Sequence, residues 1–245
     1  MKYIRDIGSY FTMLKLVFTR PTKTSVLRGL IFKEIDDLIV SSLGIVAFIS
    51  FFVGGVVAIQ TALNMENPLI PKSLIGFATR QSILLEFAPT FISIIMAGKV
   101  GSFITSSIGS MRVTEQIDAL EVMGINPLNY LVFPKIIALL FYPFLIIIAM
   151  FLGIMGGWIA AVYGGFSSAT DYITGLQDTF IPFHITYAFI KTFVFAFILA
   201  TVPSWQGFYM KGGALEVGKA STNSFVWTSV LIILAIYIIT QMLLS

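Results

Sequence analysis

The sequence has no cysteine, only one histidine and few charged residues. Among its 245 residues, Asp, Glu, Lys and Arg together make up 11%, and the single histidine is His184. The lack of cysteine excludes disulfides, thiolate metal sites and a cysteine nucleophile. One histidine excludes a histidine-rich metal cluster, so we expect no metal site and no cofactor held by the chain itself.

The scarcity of charge is typical of a membrane protein. Soluble domains carry about a quarter charged residues, whereas this chain is 57% hydrophobic with a mean hydropathy of +0.94. Such a chain cannot be solvated on all sides. Charges at Lys2, Arg5 and Asp6 interrupt any apolar segment at the start, so a cleavable signal peptide is not expected.

Five windows are apolar and long enough to cross a bilayer as helices, which requires roughly 20 residues each. They are residues 38–63, 74–97, 136–163, 185–203 and 225–244. The second window is the weakest because it contains Arg80, Glu86 and Pro89. The windows predict an all-α integral membrane protein with five transmembrane helices.

The distribution of Lys and Arg predicts the orientation of these spans. Seven basic residues precede the first span, and others follow the second and fourth spans, whereas the loop between the third and fourth spans has none. Positive residues are enriched in cytoplasmic loops. We therefore expect the N-terminus inside the cell and the C-terminus outside.

Residues 1–37 are predicted to form helices at the cytoplasmic surface of the membrane. Apolar residues recur there with helical spacing, opposite a polar and basic face. They are Tyr3, Ile4, Ile7, Tyr10, Phe11, Leu14, Val17 and Phe18. An amphipathic basic helix favours the headgroup plane, with packing on a partner protein as the alternative. Pro21 is predicted to end this helix, and a second helix over 26–38 leads into the bilayer.

A short charged stretch, EQIDALEVMGINP, separates the second and third spans. Thr114 can cap a helix whose first turn carries Glu115, where the helix dipole favours an acid. Gly124 can end this helix, and Pro127 prevents its continuation. The sequence thus predicts an amphipathic cytoplasmic helix over 114–124. It can transmit force from a cytoplasmic partner to the spans, or it can simply rest on the headgroups.

No catalytic set is evident in the sequence. Gly213, Gly218 and Lys219 match the spacing of a phosphate-binding loop, but Ala220 replaces the Ser or Thr that holds Mg²⁺. The surrounding sequence also lacks the strand that precedes such a loop. We therefore expect no ATPase site and no enzyme activity in this chain.

Charged and small residues inside the spans indicate internal contacts. Glu86 lies in the middle of the second span, where an unpaired charge costs about 3 kcal/mol or more, and Lys191 of the fourth span is a possible partner. Glu86 either lines a polar cavity or belongs to a structural ion pair. Gly153 and Gly157 have the spacing of a close helix–helix contact.

Three segments resemble the MlaE/YrbE permease family. The longest is GSMRVTEQIDALEVMGINPLNYLVFPK over 109–135, and QG…GGA…VGKA over 206–220 is the second. The third is the span that contains Glu86 and Pro89, followed by AGKVGS. Together these segments cover most of residues 75–245 in the family's order.

The resemblance implies a single ABC-transporter permease domain over 1–245, in the inner membrane of a Gram-negative bacterium. Members are membrane subunits of ABC transporters that move lipids between the two membranes of the envelope. A second copy of the chain, a cytoplasmic ATPase that binds ATP and Mg²⁺, and a periplasmic MCE-domain protein are the implied partners, together with lipid. No nucleic acid is expected.

The resemblance also implies two groups of site residues. The helix of residues 114–124 matches the family's coupling helix, which seats in the ATPase. We expect this coupling to involve Glu115, Gln116, Ala119, Leu120, Gly124 and Pro127. The candidate lipid cavity contains Glu86, Lys99 and Gln60.

The sequence departs from the family pattern within the second span. Leu85 and Lys99 stand where the family commonly has Arg, and Ser107 stands where it commonly has an acid. Because Lys lacks the bidentate fork of Arg, these differences bear on lipid preference. The alternative function is a standalone ion- or proton-coupled transporter that uses Glu86 and Lys191. Five spans without an inverted repeat count against many carriers of that kind.

Overall fold

The computed structural model describes residues 2–19, 22–65 and 71–244, and all regular structure within these ranges is helical. Five helical stretches in them are long and apolar enough to cross a membrane, which confirms the predicted number of spans. The stretches are Thr24–Asn64, Ser73–Val113, Pro127–Tyr163, Phe183–Phe208 and Ala214–Leu243. They extend past the predicted windows because hydropathy detects only the apolar part of a helix, whereas the helices continue into polar sequence.

We number the α-helices in chain order and name two π-helical segments separately. The α-helices are α1 Lys2–Val17, α2 Thr24–Leu38, α3 Leu43–Asn64, α4 Ser73–Ser82, α5 Ile92–Met96, α6 Ser102–Val113, α7 Gln116–Val122, α8 Pro127–Leu131, α9 Phe133–Leu139, α10 Tyr142–Tyr163, α11 Ala169–Gln177, α12 Phe183–Phe208 and α13 Ala214–Leu244. The π segments are π1, Ile83–Phe91, and π2, Ala97–Gly101. The second span is thus α4, π1, α5, π2 and α6 in succession.

The first helix, α1, extends over Lys2–Val17, within the segment for which helices were predicted. Pro21, which was predicted to end it, lies outside the described residues, as does Arg20. The side chains of Met13 and Val17 are fully buried, whereas Ile7, Phe11 and Phe18 are exposed. The helix therefore has one face packed on its own chain and a second apolar face that is uncovered.

The chain divides into two compact units. The first comprises Met1–Ser41, Ile94–Tyr142 and Phe193–Ser245, and the second comprises Ser42–Ser93 and Pro143–Thr192. In the first unit α13 packs on α6, α2 packs on α9, and α1 contacts α8. In the second unit α4 packs against both α3 and α11.

The two helices α3 and α10 of the second unit cross at their glycines. A Cβ atom added to Gly54 would lie 1.9 Å from the carbonyl oxygen of Gly153, and one added to Gly156 would lie 1.9 Å from that of Phe51. A Cβ on Gly157 would meet Tyr172 and Thr79. The close contact predicted from Gly153 and Gly157 is confirmed, with Gly156 as the tightest position in α10.

This crossing predicts opposite effects for two glycines of α3. Gly54→Ala should destabilise the protein by about 1–3 kcal/mol, as is usual for overpacking, because its methyl group would overlap a backbone carbonyl. Gly44→Ala, with no atom within 4 Å of the added Cβ, should be neutral or slightly stabilising because Ala favours helix. Thermal unfolding of the two variants in detergent provides the comparison. Equal midpoints would contradict the crossing.

Helix α11 lies between the third and fourth spans and was not predicted, although its start has a recognisable signal. The Ser168 hydroxyl accepts from the backbone N–H of Asp171 at 3.0 Å and donates to its carboxylate at 2.7 Å. This reciprocal arrangement resembles a capping box. Burial raises the pKa of Tyr172 in this helix to about 12, so its hydroxyl stays protonated.

Arg80 holds the opposite end of α11. Its guanidinium donates to the carbonyl oxygens of Leu176 at 2.5 Å and Asp178 at 2.9 Å, and it lies 5.1 and 5.6 Å from the ring centroids of Phe77 and Phe180. Helix C-termini leave carbonyls unsatisfied, and cations are favoured there. Arg80 is therefore a buried capping residue of the second unit.

Candidate functional site

The second span is widened into a π-helix around its charged residue. The segment π1 contains both Glu86 and Pro89. Proline has no backbone N–H and cannot donate to the carbonyl four residues earlier, which here belongs to Leu85. π-helical turns are rare and frequently occur at functional sites, so π1 marks this part of the span as a candidate site.

Lys191 supplies a hydrogen bond to the Leu85 carbonyl that lacks its helical donor, and it also pairs with Glu86. Its ammonium donates to the carbonyl oxygen of Leu85 and to Oε1 of Glu86, each at 2.9 Å. It also lies 4.8 Å from the ring centroid of Tyr187. Thr90 donates to the other carboxylate oxygen of Glu86 at 3.0 Å. The pairing of Glu86 with Lys191, considered possible from the sequence, is confirmed.

The two partners differ in their exposure. The side chain of Lys191 is 0% exposed, whereas that of Glu86 is 46% exposed. A buried cation depends on its partner because its own hydration is lost. The carboxylate is shared between Lys191 and the open surface, so it is the member of the pair that a ligand can reach.

The other two residues of the predicted lipid cavity lie elsewhere in the chain. Gln60 is exposed on α3, in the second unit with Glu86. Lys99 lies in π2, in the first unit, where its ammonium donates to the carbonyl oxygen and the hydroxyl of Ser41. Lys99 thus contacts Ser41, which lies in the segment between α2 and α3.

Within the predicted range 114–124 the structure has a shorter helix, α7, over Gln116–Val122. Thr114 does not cap it, because the Thr114 hydroxyl donates to the carbonyl of Ser110 at 2.9 Å. Glu115 occupies the cap position with φ 59°. This left-handed conformation costs a non-glycine residue roughly 1–2 kcal/mol, and such strain is often retained at functional positions.

Most of α7 faces outward. Ile117 is the fully buried side chain, and Leu120 is half-buried. Val122 is 89% exposed and Met123 is 64% exposed, while Glu115, Gln116, Ala119 and Gly124 are exposed as well. Arg112 donates to the Asp118 carboxylate at 2.8 Å and so ties α7 to α6. The helix presents acidic and apolar groups together on one accessible tip.

Gly124 and Pro127 shape the chain after α7. Gly124 has φ 75°, a left-handed conformation that suits the residue following a helix. Pro127 is buried at the start of α8, where the Asn126 side chain accepts from the N–H groups of Leu128 and Asn129. A proline in the first turn is favourable because its missing N–H is not needed there.

Asn126 and Asn129 have a larger role than the sequence indicated. Their side-chain amides reach the end of α1, more than 100 positions earlier in the chain. The Asn-Pro pair could be recognised as a helix start, but no local pattern in the sequence relates it to α1.

Comparison with known proteins gives a family match over most of the chain. The family model described as Permease MlaE matches residues 31–242. A probable ABC transporter permease protein of Rickettsia felis is 31% identical over 243 residues, covering 99% of this chain and 93% of the relative. A counterpart from Rickettsia bellii is 34% identical over 232 residues, covering 92% of this chain and 89% of the relative.

A plant protein is also similar. The chloroplastic protein TRIGALACTOSYLDIACYLGLYCEROL 1 of Arabidopsis thaliana is 32% identical over 203 residues, which are 82% of this chain and 57% of the plant protein. The family match includes α7, the second, third and fourth spanning stretches, and most of the first and fifth. This chain is therefore a multi-pass membrane protein and belongs to the MlaE family of ABC transporter permeases.

Proposed function

We propose that this permease moves phospholipid or a related lipid between the inner and outer membranes of a Gram-negative bacterium, driven by a separate cytoplasmic ATPase. The observation that carries the proposal is the exposed tip of α7, a short helix between two spans with uncovered Val122 and Met123. Aliphatic side chains this exposed in a charged loop suit a protein contact. A coupling role for α7 accounts for this feature.

The coupling contact involves α7 and its immediate surroundings. Glu115, Gln116, Ala119 and Leu120 supply the accessible face of the helix, and Gly124 turns the chain at its end. Pro127 begins α8, the helix that follows this turn. In this arrangement the ATPase contributes the ATP and Mg²⁺ site, and the permease converts the movement of α7 into movement of the second and third spans.

The distribution of charge supports the proposed orientation in the inner membrane. Of the 15 Lys and Arg residues, Lys72, Arg80 and Lys191 fall in the second unit and the others in the first. By the positive-inside rule, this asymmetry supports a cytoplasmic position for the N-terminus and α7. The exposed apolar face of α1 would lie in the headgroup plane, as interfacial helices do.

A lipid substrate is supported by the polar groups within the second span and by one relative. The plant relative's name contains that of a galactolipid. Lipid headgroups offer phosphate or hydroxyl groups, which a carboxylate, an amide and an ammonium can bind. We assign such contacts to Glu86 and Gln60 of the second unit, and we propose Lys99 of the first unit as a separate headgroup contact.

The last span is proposed to bind a second copy of the chain. Only 11% of its apolar window is buried, against 33–56% for the other four spans. Tyr237 and Met242 are 70% and 75% exposed. A helix with so little coverage suits a homodimer interface.

This interface can be tested with cysteine pairs, because the natural chain contains no cysteine. Tyr237→Cys should form a disulfide-linked dimer in native membranes under mild oxidation, since symmetric contacts bring identical positions together. Phe52→Cys, on exposed α3, provides the comparison. A dimer that forms through position 52 and not through position 237 would contradict the assignment.

Native mass spectrometry of the complex from its own membrane tests the proposed function as a whole. We expect two permease chains, two ATPase chains, bound lipid and an MCE-domain protein. A monomer without ATPase or lipid would favour the alternative, an ion- or proton-coupled transporter based on Glu86 and Lys191. That alternative also requires transport in liposomes driven by an ion gradient alone.

A further inference from the structure

We infer that α1 connects the coupling helix to the fourth span, with Asn126 and Asn129 as the positioning residues of this connection. By sequence, α7 is linked directly to the second and third spans. The hydrogen bonds of the first unit add a path that the sequence order does not contain. The inference rests on the proposed role of α7 as the contact for an ATPase.

The path begins at the end of α1, which is held by two side-chain amides. Nδ2 of Asn126 donates to the carbonyl oxygens of Leu16 at 2.9 Å and Thr19 at 2.7 Å. Nδ2 of Asn129 donates to the carbonyl of Val17 at 2.7 Å. A helix C-terminus leaves its last carbonyls without partners, so α1 receives its cap from the segment that follows α7.

The same asparagines fix α8 and the chain beyond α1. Oδ1 of Asn126 accepts from the backbone N–H of Leu128 at 3.1 Å. Oδ1 of Asn129 accepts from the N–H and the hydroxyl of Thr22 at 2.8 and 2.9 Å. Asn129 is buried, and its amide is fully engaged. The Asn126 side chain therefore bonds both α8 and the end of α1, and Asn129, within α8, bonds the chain at Val17 and at Thr22.

The path continues along α1 to the fourth span. The hydroxyl of Tyr10 is 2.8 Å from that of Thr201, and Nε1 of Trp205 donates to the Ser9 hydroxyl at 2.9 Å. Thr201 is fully buried, and burial raises the pKa of the Tyr10 hydroxyl, which keeps this contact neutral. Both contacts of α12 lie on the helix that also carries Lys191.

A rigid helix tied at two points can carry a displacement between them. Four positions separate the end of α7, at Val122, from Asn126. When α7 moves, Asn126 and Asn129 pull on the C-terminus of α1, and the middle of α1, at Ser9 and Tyr10, acts on α12. Coupling of this kind travels through packed elements and hydrogen-bond networks. The fourth span thus receives the signal through α1 in addition to its contact with α6, where the Thr105 hydroxyl donates to the carbonyl oxygen of Pro203 at 3.0 Å.

Two sets of variants interrupt the path at opposite ends. Asn126→Ser combined with Asn129→Ala removes every amide donor to α1, while the serine keeps an oxygen able to cap α8. Ser9→Ala with Tyr10→Phe removes both contacts to α12. Thr12→Ala is the matched control, because the Thr12 hydroxyl donates to the Gly8 carbonyl within α1. All variants are studied in the full complex with the ATPase.

The readout is a spin label on the cysteine-free chain. Phe197→Cys reports on α12 and Phe144→Cys on α10, both at exposed positions. Each label is compared between the nucleotide-free and the ATP–vanadate state. In both interrupted variants we expect the response at position 197 to be reduced, the response at position 144 to remain, and ATPase binding to be unchanged. Combining the two sets of substitutions should reduce the response at position 197 no further, because both sets act on the same path.

The results separate failure of this inference from failure of the proposed function. If the ATPase binds and position 197 responds fully in both interrupted variants, α1 is not the connection. The inference is also overturned if the wild-type label at 197 does not respond or if Thr12→Ala has the same effect. Failure of the wild-type chain to bind any ATPase would instead remove the proposed function.

Discussion

Replacing Val122 and Met123 together by Asp is expected to abolish stable binding of the ATPase while the permease still folds. Both side chains are more than half exposed, so the change should leave the interior of the protein intact. An apolar anchor in an interface usually contributes most of its binding energy, and a charge there would have to be desolvated. We expect the Kd to rise by about 100-fold, which is about 2.8 kcal/mol.

The measurement is the affinity of the purified permease for its ATPase, with size-exclusion chromatography to check folding. Tyr163→Asp is the matched control, because Tyr163 is 81% exposed at the end of α10 that is proposed to face away from the cytoplasm. It should bind normally. Unchanged binding by the Val122 and Met123 double variant would show that α7 is not the coupling contact.

Glu86→Gln is expected to destabilise the protein more than Lys191→Met does. The first change leaves a fully buried ammonium with only carbonyl-type partners, whereas the second leaves a carboxylate that is 46% exposed. Loss of one partner of a buried pair costs roughly 3–5 kcal/mol. Because Glu86 is half exposed, we expect about 3 kcal/mol, at the lower end of that range.

The double variant Glu86→Gln with Lys191→Met separates stability from function. Replacing both charges by neutral groups of similar size is often neutral for stability, so its unfolding midpoint should return close to that of the wild type. Lipid transport should be lost in Glu86→Gln and also in the double variant if Glu86 binds the substrate. Glu216→Gln serves as the control, because its ion pair with Lys219 is exposed and such pairs contribute little. Equal destabilisation by both single variants would contradict the difference in burial.

The sequence was most informative where the bilayer itself imposes the pattern. Each span must be apolar and must satisfy its own backbone hydrogen bonds, so the five helices, including the charged second span, were predicted correctly. The partner of Glu86 could be proposed because few cations are present in the spans. The site of closest helix contact followed from Gly153 and Gly157, although Gly156 proved to be the tighter position.

The features that the sequence did not reveal depend on contacts between distant residues. Arg80 was noted only as a charge that weakens the second window, but it is buried because the end of α11 supplies carbonyls to its guanidinium. The bonds from Asn126 and Asn129 to α1 join segments more than 100 residues apart, and such pairings leave no periodic signal. Thr114 has the chemistry of a helix cap, yet its hydroxyl bonds backward to Ser110, and Glu115 takes the position.

We expect ATP hydrolysis by a partner to drive lipid movement through this chain. The most direct measurement is the transfer of labelled phospholipid between proteoliposomes containing the full complex and acceptor vesicles, with and without ATP. We predict transfer that requires ATP and is lost in the Val122 and Met123 double variant. Equal lipid transfer with and without ATP would contradict ATP-driven transport. ATP hydrolysis by a fully assembled complex without any lipid movement would contradict it as well.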